Sequence, residues 1–286
     1  MNTTHETIQL DGPLRPEVPL TSRRHQPGDT VIPVGGSRIG GGNFTVIAGP
    51  CAVEDHASLD RTARELRSCG ITLLRGGAFK PRTSPYEFQG LGCQGLELLQ
   101  EMKTRHGMGI VTELTGTRYL KEVGRIADIV QIGSRNGLNY ELLQAAADIG
   151  KPILLKRSMA ASFREWLGAA EYLMAYGCRN VILCERGIKT FEDATRNTLD
   201  IGSIALAKRE THLPVLVDPS HAAGQRELVL PLALAGIAAG ADGVILESHC
   251  SPQTALCDAK QQIATADMPA LLQQFQSLAR CLGRTV

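Results

Sequence analysis

Residues 151–187, KPILLKRSMAASFREWLGAAEYLMAYGCRNVILCERG, contain the pattern that decides the fold. Short apolar runs at 153–155 and 181–183 have the length and composition of strands that are buried on both faces. Between them, the segment 165–177 places apolar residues three to four positions apart and ends in glycine, which predicts an amphipathic helix. A strand, a helix and a second strand in this order are typical of a parallel sheet whose faces are covered by helices.

The same alternation continues along most of the chain. Apolar runs that predict buried strands lie at residues 46–48, 73–74, 109–111, 129–132, 153–155, 181–183, 215–217 and 244–246. Helical patterns separate them, as in the segment that carries Leu59, Ala63 and Leu66. Eight buried strands that alternate with eight helices over roughly 240 residues predict a (β/α)8 TIM barrel, an α/β fold. An open doubly wound sheet is the structural alternative, but no GxGxxG motif follows the first strand.

The N-terminal segment has a different composition. Residues 1–42 are polar and rich in Pro, Gly and Arg, with a short apolar run only at 31–34. This segment is predicted to be an N-terminal arm that ends in the turn-rich linker GGSRIGGGN, with a mobile tail as the alternative. It is too short for a typical independent domain, so we expect no regulatory domain there. Residues 43–286 would then form the catalytic barrel.

The composition excludes several classes of protein. Of the 286 residues, 43% are hydrophobic and 21% are charged, which supports a sizeable core and argues against disorder. The formal net charge of +1 and an aromatic content of 4% make neither nucleic acid nor a membrane surface an expected partner. The eight cysteines show no zinc-finger spacing and no signal-peptide pattern opens the chain, so we expect reduced thiols in a cytoplasmic protein.

Metal-ligand types stand at the ends of several predicted strands. In a TIM barrel these ends meet at one rim, which bears the active site. Cys51 follows the first strand, His221 the seventh and Glu247 the eighth, and Asp258 lies in the next loop. A thiolate, an imidazole and two carboxylates suit a divalent ion such as Mn²⁺, our expectation, with Fe²⁺, Co²⁺ or Zn²⁺ as alternatives. His249 is a competing ligand, because strand alternation places it on the same face as Glu247.

Positive charge is concentrated at the same rim. Six cations follow the predicted strands: Arg75, Lys80, Arg82, Arg135, Lys156 and Arg186. Like charges repel at close range, so these side chains need acidic neighbours or bound anions. Structural salt bridges, with Arg157 and Glu185 as participants, are one explanation. We favour a pocket for anionic substrates that carry phosphates and a carboxylate, since arginine binds oxyanions bidentately. The loop GAFKPRTSPYEFQGLG at 77–92 is suited to close over such a ligand.

A family resemblance rests on long strings of this sequence. They are AGPCAVE, LLRGGAFKPRTSPYEFQGLG, QIGSRN, NVILCERGIKTFEDATRNTLD, PVLVDPSHAAG and the closing ES-H…ALCDA run. Over about residues 31–265, the chain resembles 3-deoxy-D-arabino-heptulosonate 7-phosphate (DAHP) synthase of the type I β-subgroup. The resemblance implies a transferase that condenses phosphoenolpyruvate with erythrose 4-phosphate and water, which is the first step of the shikimate pathway toward chorismate and the aromatic amino acids. It also implies a homo-oligomer, either a dimer or a tetramer.

The resemblance implies a role for each matching residue. Four match the metal ligands: Cys51, His221, Glu247 and Asp258. The residues that match the phosphoenolpyruvate site, or lie in the strings that form it, are Arg75, Lys80, Gly133, Ser134, Arg135, Lys156 and Arg186. Arg82 and Thr83 match the site of the erythrose phosphate. Glu113 matches a carboxylate near the attacking water, and Lys80 and Lys156 are placed for charge stabilisation and proton transfer.

The sequence departs from the family pattern at a few positions. Ser158 stands where the family usually has Gly, and Gly137 and Leu138 replace a Met-Gln pair. Cys250 replaces a usual Pro, and Cys257 replaces a Ser next to Asp258. No ligand and no substrate cation is lost, so these departures bear on metal preference and sensitivity to oxidation rather than on activity.

Three other functions remain open at this point. The nearest is 3-deoxy-octulosonate 8-phosphate synthase, which shares the barrel and the chemistry but uses arabinose 5-phosphate. A Schiff-base aldolase with Lys156 as its nucleophile is a different class, which borohydride trapping would reveal and a chelator would not inhibit. A non-catalytic barrel would be expected to have lost ligands, and all four ligand positions are filled here.

Overall fold

The computed structural model describes residues 18–82 and 84–286, in which parallel strands close into a barrel. The strands of the ring pair in chain order, and the last strand pairs with both the first and the one before it. Helices lie between successive strands and cover the outside of the ring. The predicted (β/α)8 barrel is therefore confirmed.

The elements of the described residues have the following bounds. The strands are β1 (Ile32–Val34), β2 (Ser37–Ile39), β3 (Thr45–Gly49), β4 (Leu73–Arg75), β5 (Gly109–Glu113), β6 (Ile129–Ile132), β7 (Ile153–Lys156), β8 (Val181–Glu185), β9 (Val215–Val217), β10 (Gly243–His249) and β11 (Ile263–Ala264). The helices are α1 (His56–Ser68), α2 (Cys93–His106), α3 (Leu120–Ile126), α4 (Tyr140–Ala147), α5 (Phe163–Ala175), α6 (Ile201–Glu210), α7 (Pro219–Ala223), α8 (Val229–Ala238) and α9 (Met268–Cys281).

Helix α5 shows how the local sequence sets these elements. Ser162 caps its first turn, and Glu165 returns the bond to the Ser162 backbone, which satisfies two amides that the helix leaves free. Trp166, Ala170 and Leu173 are buried on one face, as their spacing predicted. The helix therefore packs this face against the barrel wall.

The inside of the ring is closed at one end by the hairpin β1–β2. Ile32 and Ile39 pair across the hairpin and are fully buried among side chains that point into the barrel, such as Ile47 and Leu73. The hairpin turn lies against the beginnings of β4 and β5, where a Cβ on Gly35 would be 2.7 Å from Leu73 Cδ2. The hairpin thus fills the end of the barrel opposite the C-terminal ends of the strands.

The described part of the predicted arm differs from the expectation. Residues 18–42 neither extend away from the barrel nor form a loose tail, because Glu171 accepts hydrogen bonds from the Leu20 and Thr21 amides at 2.9 Å. The residues on either side of the turn at Gly35 and Gly36 pair with each other and form a hairpin. The short apolar run at 31–34 alone did not indicate this hairpin. Residues 1–17 lie outside the described residues, and the division at residue 42 remains a prediction.

Ile39→Ala is expected to lower the free energy of unfolding by about 3 kcal/mol, because a large side chain that is fully buried would leave a cavity. Urea unfolding followed by circular dichroism measures the change. Arg38→Ala, at the exposed position beside it, is the matched control and should change stability by less than about 0.5 kcal/mol. Equal effects of the two substitutions would show that the hairpin does not seal the core.

The described residues include no helix long and apolar enough to cross a membrane. The longest apolar stretch of the sequence, residues 228–241, contains α8, which packs against α9 and the strand β10. This segment is the buried helix that its length predicted.

Candidate active site

The C-terminal ends of the barrel strands surround a cavity of about 260 Å³. Most of the predicted site residues line it: Arg75, Lys80, Arg82, Glu113, Gly133, Ser134, Arg135, Lys156, Arg186, His221 and Asp258. Cys51 and Glu247 are fully buried and contact lining residues, Cys51 through Lys80 and Glu247 through Arg75. Thr83 lies outside the described residues.

The four predicted metal ligands converge beside this cavity. The donor atoms of His221, Glu247 and Asp258 all lie within 4.8 Å of one another. The Cys51 sulfur is 3.3 Å from the Asp258 Oδ2 atom and belongs to a second group of the same size, with Asp258 and Cys257. Asp258 connects the two groups and adopts a left-handed backbone conformation, with a φ of 51°. Such a conformation is rare outside glycine and concentrates at functional sites.

The His221 ring is oriented by Asp218. This aspartate follows β9 and caps α7, since its Oδ1 atom accepts a bond from the His221 amide at 3.0 Å. Its Oδ2 atom lies 2.8 Å from the His221 Nδ1 atom, which leaves Nε2 facing Glu247 at 3.3 Å. Burial lowers the pKa of His221 to about 4, so the ring is neutral near pH 7 and Nε2 can bind a metal. A carboxylate that fixes a histidine ligand in this way is a common feature of metal sites.

Glu247 is held as a carboxylate. Burial opposes its charge, but His221, Arg75 and Lys80 outweigh burial and hold the pKa of Glu247 well below its usual range. Its Oε1 atom accepts a bond from Arg75 at 2.8 Å, and its Oε2 atom accepts one from Gln261 at 2.6 Å. A thiol, a neutral imidazole and two carboxylates together fit a divalent ion that accepts both soft and hard donors.

Most of the cations at the rim have acidic partners. Arg75 pairs with Glu247, Lys156 with Asp218 at 2.5 Å, and Arg82 with Glu87 at 2.7 Å. Arg196, which sequence analysis did not select, pairs with Asp258 at 3.3 Å. Salt bridges therefore relieve part of the repulsion among the cations. This agrees with the first of the two explanations given above, structural salt bridges rather than bound anions.

Three of the described cations of the cavity, Arg186, Arg135 and Lys80, form no ion pair with an acidic side chain there, and Lys80 donates to the Cys51 sulfur at 3.1 Å instead. Arg186 is 4% exposed, and its Nη1 atom donates to the neighbouring Gly187 carbonyl at 3.3 Å. Burial lowers the pKa of Arg186, which means that the folded protein holds this charge at a cost. A buried charge without a partner beside an open cavity is the arrangement that an anionic ligand would stabilise.

Glu113 lies at the wall of the cavity in a fixed position. Gln131 donates a hydrogen bond to its Oε2 atom at 3.0 Å. Its Oε1 atom occupies the space beside Gly133, where a Cβ would come within 2.0 Å of it. Gly133 is therefore required for the position of this carboxylate rather than for a contact of its own.

Ser134 connects two strand ends. Its hydroxyl donates to the Arg157 carbonyl at 2.6 Å, and its own carbonyl accepts a bond from the Ser158 hydroxyl at 2.7 Å. Ser158, one of the departures from the family pattern, thus fixes the loops after β6 and β7 to each other.

His249 does not join the metal donors. Beyond Glu247 the strand β10 no longer pairs with β3, and Ser248 and His249 pair with β11 instead. The His249 Nδ1 atom accepts a bond from the Ser251 amide at 2.9 Å, and Nε2 is 3.9 Å from Glu54 Oε2. The expectation of a competing ligand, which assumed a regular strand, was therefore wrong.

Sequence reasoning missed several residues of the site, including the charged residues Asp218 and Arg196. Asp218 was visible in the string DPSH at a strand end, where its spacing to His221 is that of a helix cap. Arg196 lies in the segment between β8 and α6, whose residues follow no regular spacing from which its place at the cavity could be inferred.

Comparison with known proteins then identifies the family. The profile of the DAHP synthetase I family matches residues 20–282. The chain belongs to this family. The resemblance found in the sequence to DAHP synthase is thereby confirmed, as is the prediction of an enzyme of this family.

Relatives support the same assignment. Phospho-2-dehydro-3-deoxyheptonate aldolase of Thermotoga maritima is 51% identical over 264 residues, which are 92% of this chain and 78% of that protein. The crystal structure of DAHP synthase from Thermotoga maritima matches with a TM-score of 0.92 at 50% identity and covers 96% of this chain and 80% of that chain. The truncated form of the Thermotoga maritima enzyme matches with a TM-score of 0.89 at 48% identity, over 94% of this chain and 99% of that chain.

A second group of relatives is more distant. 2-Dehydro-3-deoxyphosphooctonate aldolase of Geobacter sp. (strain M21) is 32% identical over 266 residues, which are 86% of this chain and 96% of that protein. The DAHP synthase family is therefore closer to this chain than the sister enzyme that sequence analysis kept as the alternative.

Proposed function

We propose that this enzyme condenses phosphoenolpyruvate with erythrose 4-phosphate and water to give DAHP and inorganic phosphate, the first step of the shikimate pathway. The proposal rests above all on Arg186, a buried cation without an acidic partner in the described residues, at the cavity that also holds the candidate metal donors His221 and Asp258. The higher identity to the heptonate aldolase than to the octonate aldolase, 51% against 32%, supports erythrose 4-phosphate over arabinose 5-phosphate.

The metal donors would be Cys51, His221, Glu247 and Asp258, with Mn²⁺ as the favoured ion and Fe²⁺, Co²⁺ or Zn²⁺ as alternatives. A divalent ion bound there would supply Lewis-acid polarisation of the aldehyde oxygen of the sugar phosphate. The protein contributes the fixed donor atoms, and Asp218 keeps the His221 ring in the orientation that binding requires.

The cations would bind the two anionic substrates at different depths. Arg186 and Lys156 are buried at the strand ends, and together with Arg135, Lys80 and Arg75 they would hold phosphoenolpyruvate. Arg82 lies in the loop at 77–92 and is partly exposed, so it would bind the phosphate of erythrose 4-phosphate nearer the mouth, together with Thr83. This arrangement aligns the alkene carbon of one substrate with the aldehyde of the other.

The side chains then account for the movement of protons. Attack by the alkene carbon leaves positive charge at C2 of the former phosphoenolpyruvate, and water adds to that carbon. Glu113, held by Gln131, would accept a proton from this water. Lys80 and Lys156 would stabilise the negative charge that develops on the aldehyde oxygen and donate a proton to it. The hemiketal phosphate that results loses inorganic phosphate by cleavage of a C–O bond.

Phosphate release tests this function. The purified enzyme receives phosphoenolpyruvate with erythrose 4-phosphate or with arabinose 5-phosphate, before chelation, after chelation and after the return of Mn²⁺. We expect turnover with the four-carbon sugar that falls by at least about 100-fold on chelation and recovers with metal, because a Lewis acid supplies several kcal/mol of stabilisation.

Two outcomes would contradict the proposal. Preference for arabinose 5-phosphate would assign the chain to the sister reaction. Activity that survives thorough chelation, with borohydride trapping a substrate on Lys156, would indicate a Schiff-base aldolase instead. The salt bridge from Lys156 to Asp218 argues against a free amine nucleophile at that position.

The family resemblance also supports a homo-oligomeric, cytoplasmic enzyme, either a dimer or a tetramer. In this proposal residues 43–286 are the catalytic barrel, and the division at residue 42 separates it from the segment that carries the hairpin β1–β2. Light scattering on the purified full chain measures the oligomeric state directly.

A further inference from the structure

Two cysteine sulfurs lie in contact beside the metal donors. The Sγ atoms of Cys51 and Cys257 are 3.0 Å apart, and both residues are at most 1% exposed. The covalent S–S bond of a disulfide is about 2.05 Å long, so the two atoms are about 1 Å from bonding distance. No other two cysteine sulfurs are in contact in the described part of the chain, although it contains all eight cysteines.

The backbones that carry these sulfurs are connected by one side chain. Gln262 is fully buried, and its Oε1 atom accepts a hydrogen bond from the Cys51 amide at 3.2 Å. Its Nε2 atom donates to the Cys257 carbonyl at 2.8 Å. Because a single amide group bridges both segments, the sulfurs are held near each other although 206 positions separate the two residues.

Both sulfurs also lie directly beneath the cavity. Lys80 Nζ is 3.1 Å from the Cys51 sulfur, and Arg82 Nη1 is 2.7 Å from the Cys257 sulfur. Lys80 and Arg82 line the cavity. A small molecule in the cavity is therefore separated from each sulfur by a single side chain. A cationic neighbour favours the thiolate, which is the form of cysteine that reacts with oxidants.

We propose that Cys51 and Cys257 form a reversible disulfide when hydrogen peroxide reaches this pocket. One thiol attacks a peroxide oxygen, the O–O bond breaks, and the products are a sulfenic acid and one water molecule. The second thiol then attacks the sulfenic sulfur, the S–S bond forms, and the OH group leaves as a second water molecule. The two cysteines lose two electrons and two protons in total, which the peroxide takes up.

The disulfide has a consequence for metal binding, and this consequence alone rests on the proposed function. Cys51 is one of the four candidate ligands, so a bound metal and the disulfide compete for the same sulfur. A bound metal should therefore protect both cysteines from peroxide, and the oxidised protein should bind metal weakly. Peroxide would then inactivate the metal-free enzyme in a form that a thiol reductant restores.

The test treats the metal-stripped full chain and the Mn²⁺-loaded full chain with hydrogen peroxide. We expect the stripped protein to lose about 2 Da and two titratable thiols, and non-reducing peptide mapping to join the peptides of Cys51 and Cys257. Dithiothreitol should reverse the change, and Mn²⁺ should slow it by at least about tenfold. Cys257→Ser should abolish the cross-link, whereas Cys250→Ser, the matched control at a thiol that bonds to the Ser58 carbonyl, should keep it.

The outcomes separate this inference from the proposed function. A stripped protein in which peroxide drives Cys51 to sulfinic acid without any Cys51–Cys257 peptide would overturn the disulfide. Isothermal titration of Mn²⁺ into the reduced protein tests the metal site separately. If the reduced protein binds no metal but the cross-link forms, the metal site fails and the disulfide stands. If Mn²⁺ binds but gives no protection, the competition between them is refuted.

Discussion

Replacement of Arg186 by methionine is expected to make the protein more resistant to unfolding while it removes most of the activity. Arg186 is 4% exposed and has no acidic partner among the described residues, and burial lowers its pKa. Burial of the Arg186 charge costs desolvation free energy, and the Arg186→Met protein does not have this cost. We therefore expect its free energy of unfolding to rise by about 1–3 kcal/mol. Loss of a buried contact to an anion should lower kcat/KM for phosphoenolpyruvate by about 100- to 1000-fold.

Urea unfolding and initial rates on the same preparation measure the two effects. Arg186→Lys is the control that keeps the charge but loses the planar guanidinium group. It should retain part of the activity and show none of the gain in stability that is expected of Arg186→Met. A less stable Arg186→Met protein with an unchanged KM would contradict the assignment, since it would mean that Arg186 stabilises the fold and does not bind substrate.

Arg157→Met is expected to have the opposite effect on stability. The Arg157 Nη1 atom donates to Glu185 at 2.8 Å, to Asp200 at 2.9 Å and to the Ser203 hydroxyl at 3.0 Å. Glu185 is fully buried and would lose its charged partner, so the free energy of unfolding should fall by about 3–5 kcal/mol. Removal of one partner from a buried pair costs more than removal of both, because a buried charge is left without compensation.

The double variant tests this explanation. Arg157→Met combined with Glu185→Gln removes both charges and should recover part of the stability lost in the single variant, as measured by urea unfolding. Burial raises the pKa of Glu185, and the loss of Arg157 should raise it further. Additive losses in the double variant would show that the ion pair is not what holds these two strand ends together.

These two arginines show what could be predicted from the sequence and what could not. The strands were predictable because each is a continuous apolar run, and the barrel rule places whatever follows them at one rim. Lys156 lines the cavity and Arg157 does not, as the alternation along a strand requires. The sequence suggested that Arg157 and Glu185 take part in salt bridges, but the further partners Asp200 and Asp218 were not predictable, because they come from other elements.

The remaining differences also have physical causes. The hairpin over residues 32–39 is two three-residue strands, too short to produce a periodic pattern of its own. His249 lies where β10 leaves the barrel wall, and no local signal marks that change of partner. The contact between the Cys51 and Cys257 sulfurs depends on Gln262, a polar residue in a loop that sequence analysis had no reason to select.

The pairing of β3 with β10 has a consequence for how the protein matures. These strands are the first and last of the ring, and Val46 pairs with Val244. A nascent chain that emerges from the ribosome therefore carries Cys51 long before it carries Glu247 and Asp258, and 207 positions separate Cys51 from Asp258. Closing so long a loop costs chain entropy and makes the last pairing slow. Ring closure therefore brings the ends of β3 and β10 together, next to the candidate metal donors Cys51 and Glu247, and a chain that stops before Glu247 lacks two of the four candidate donors.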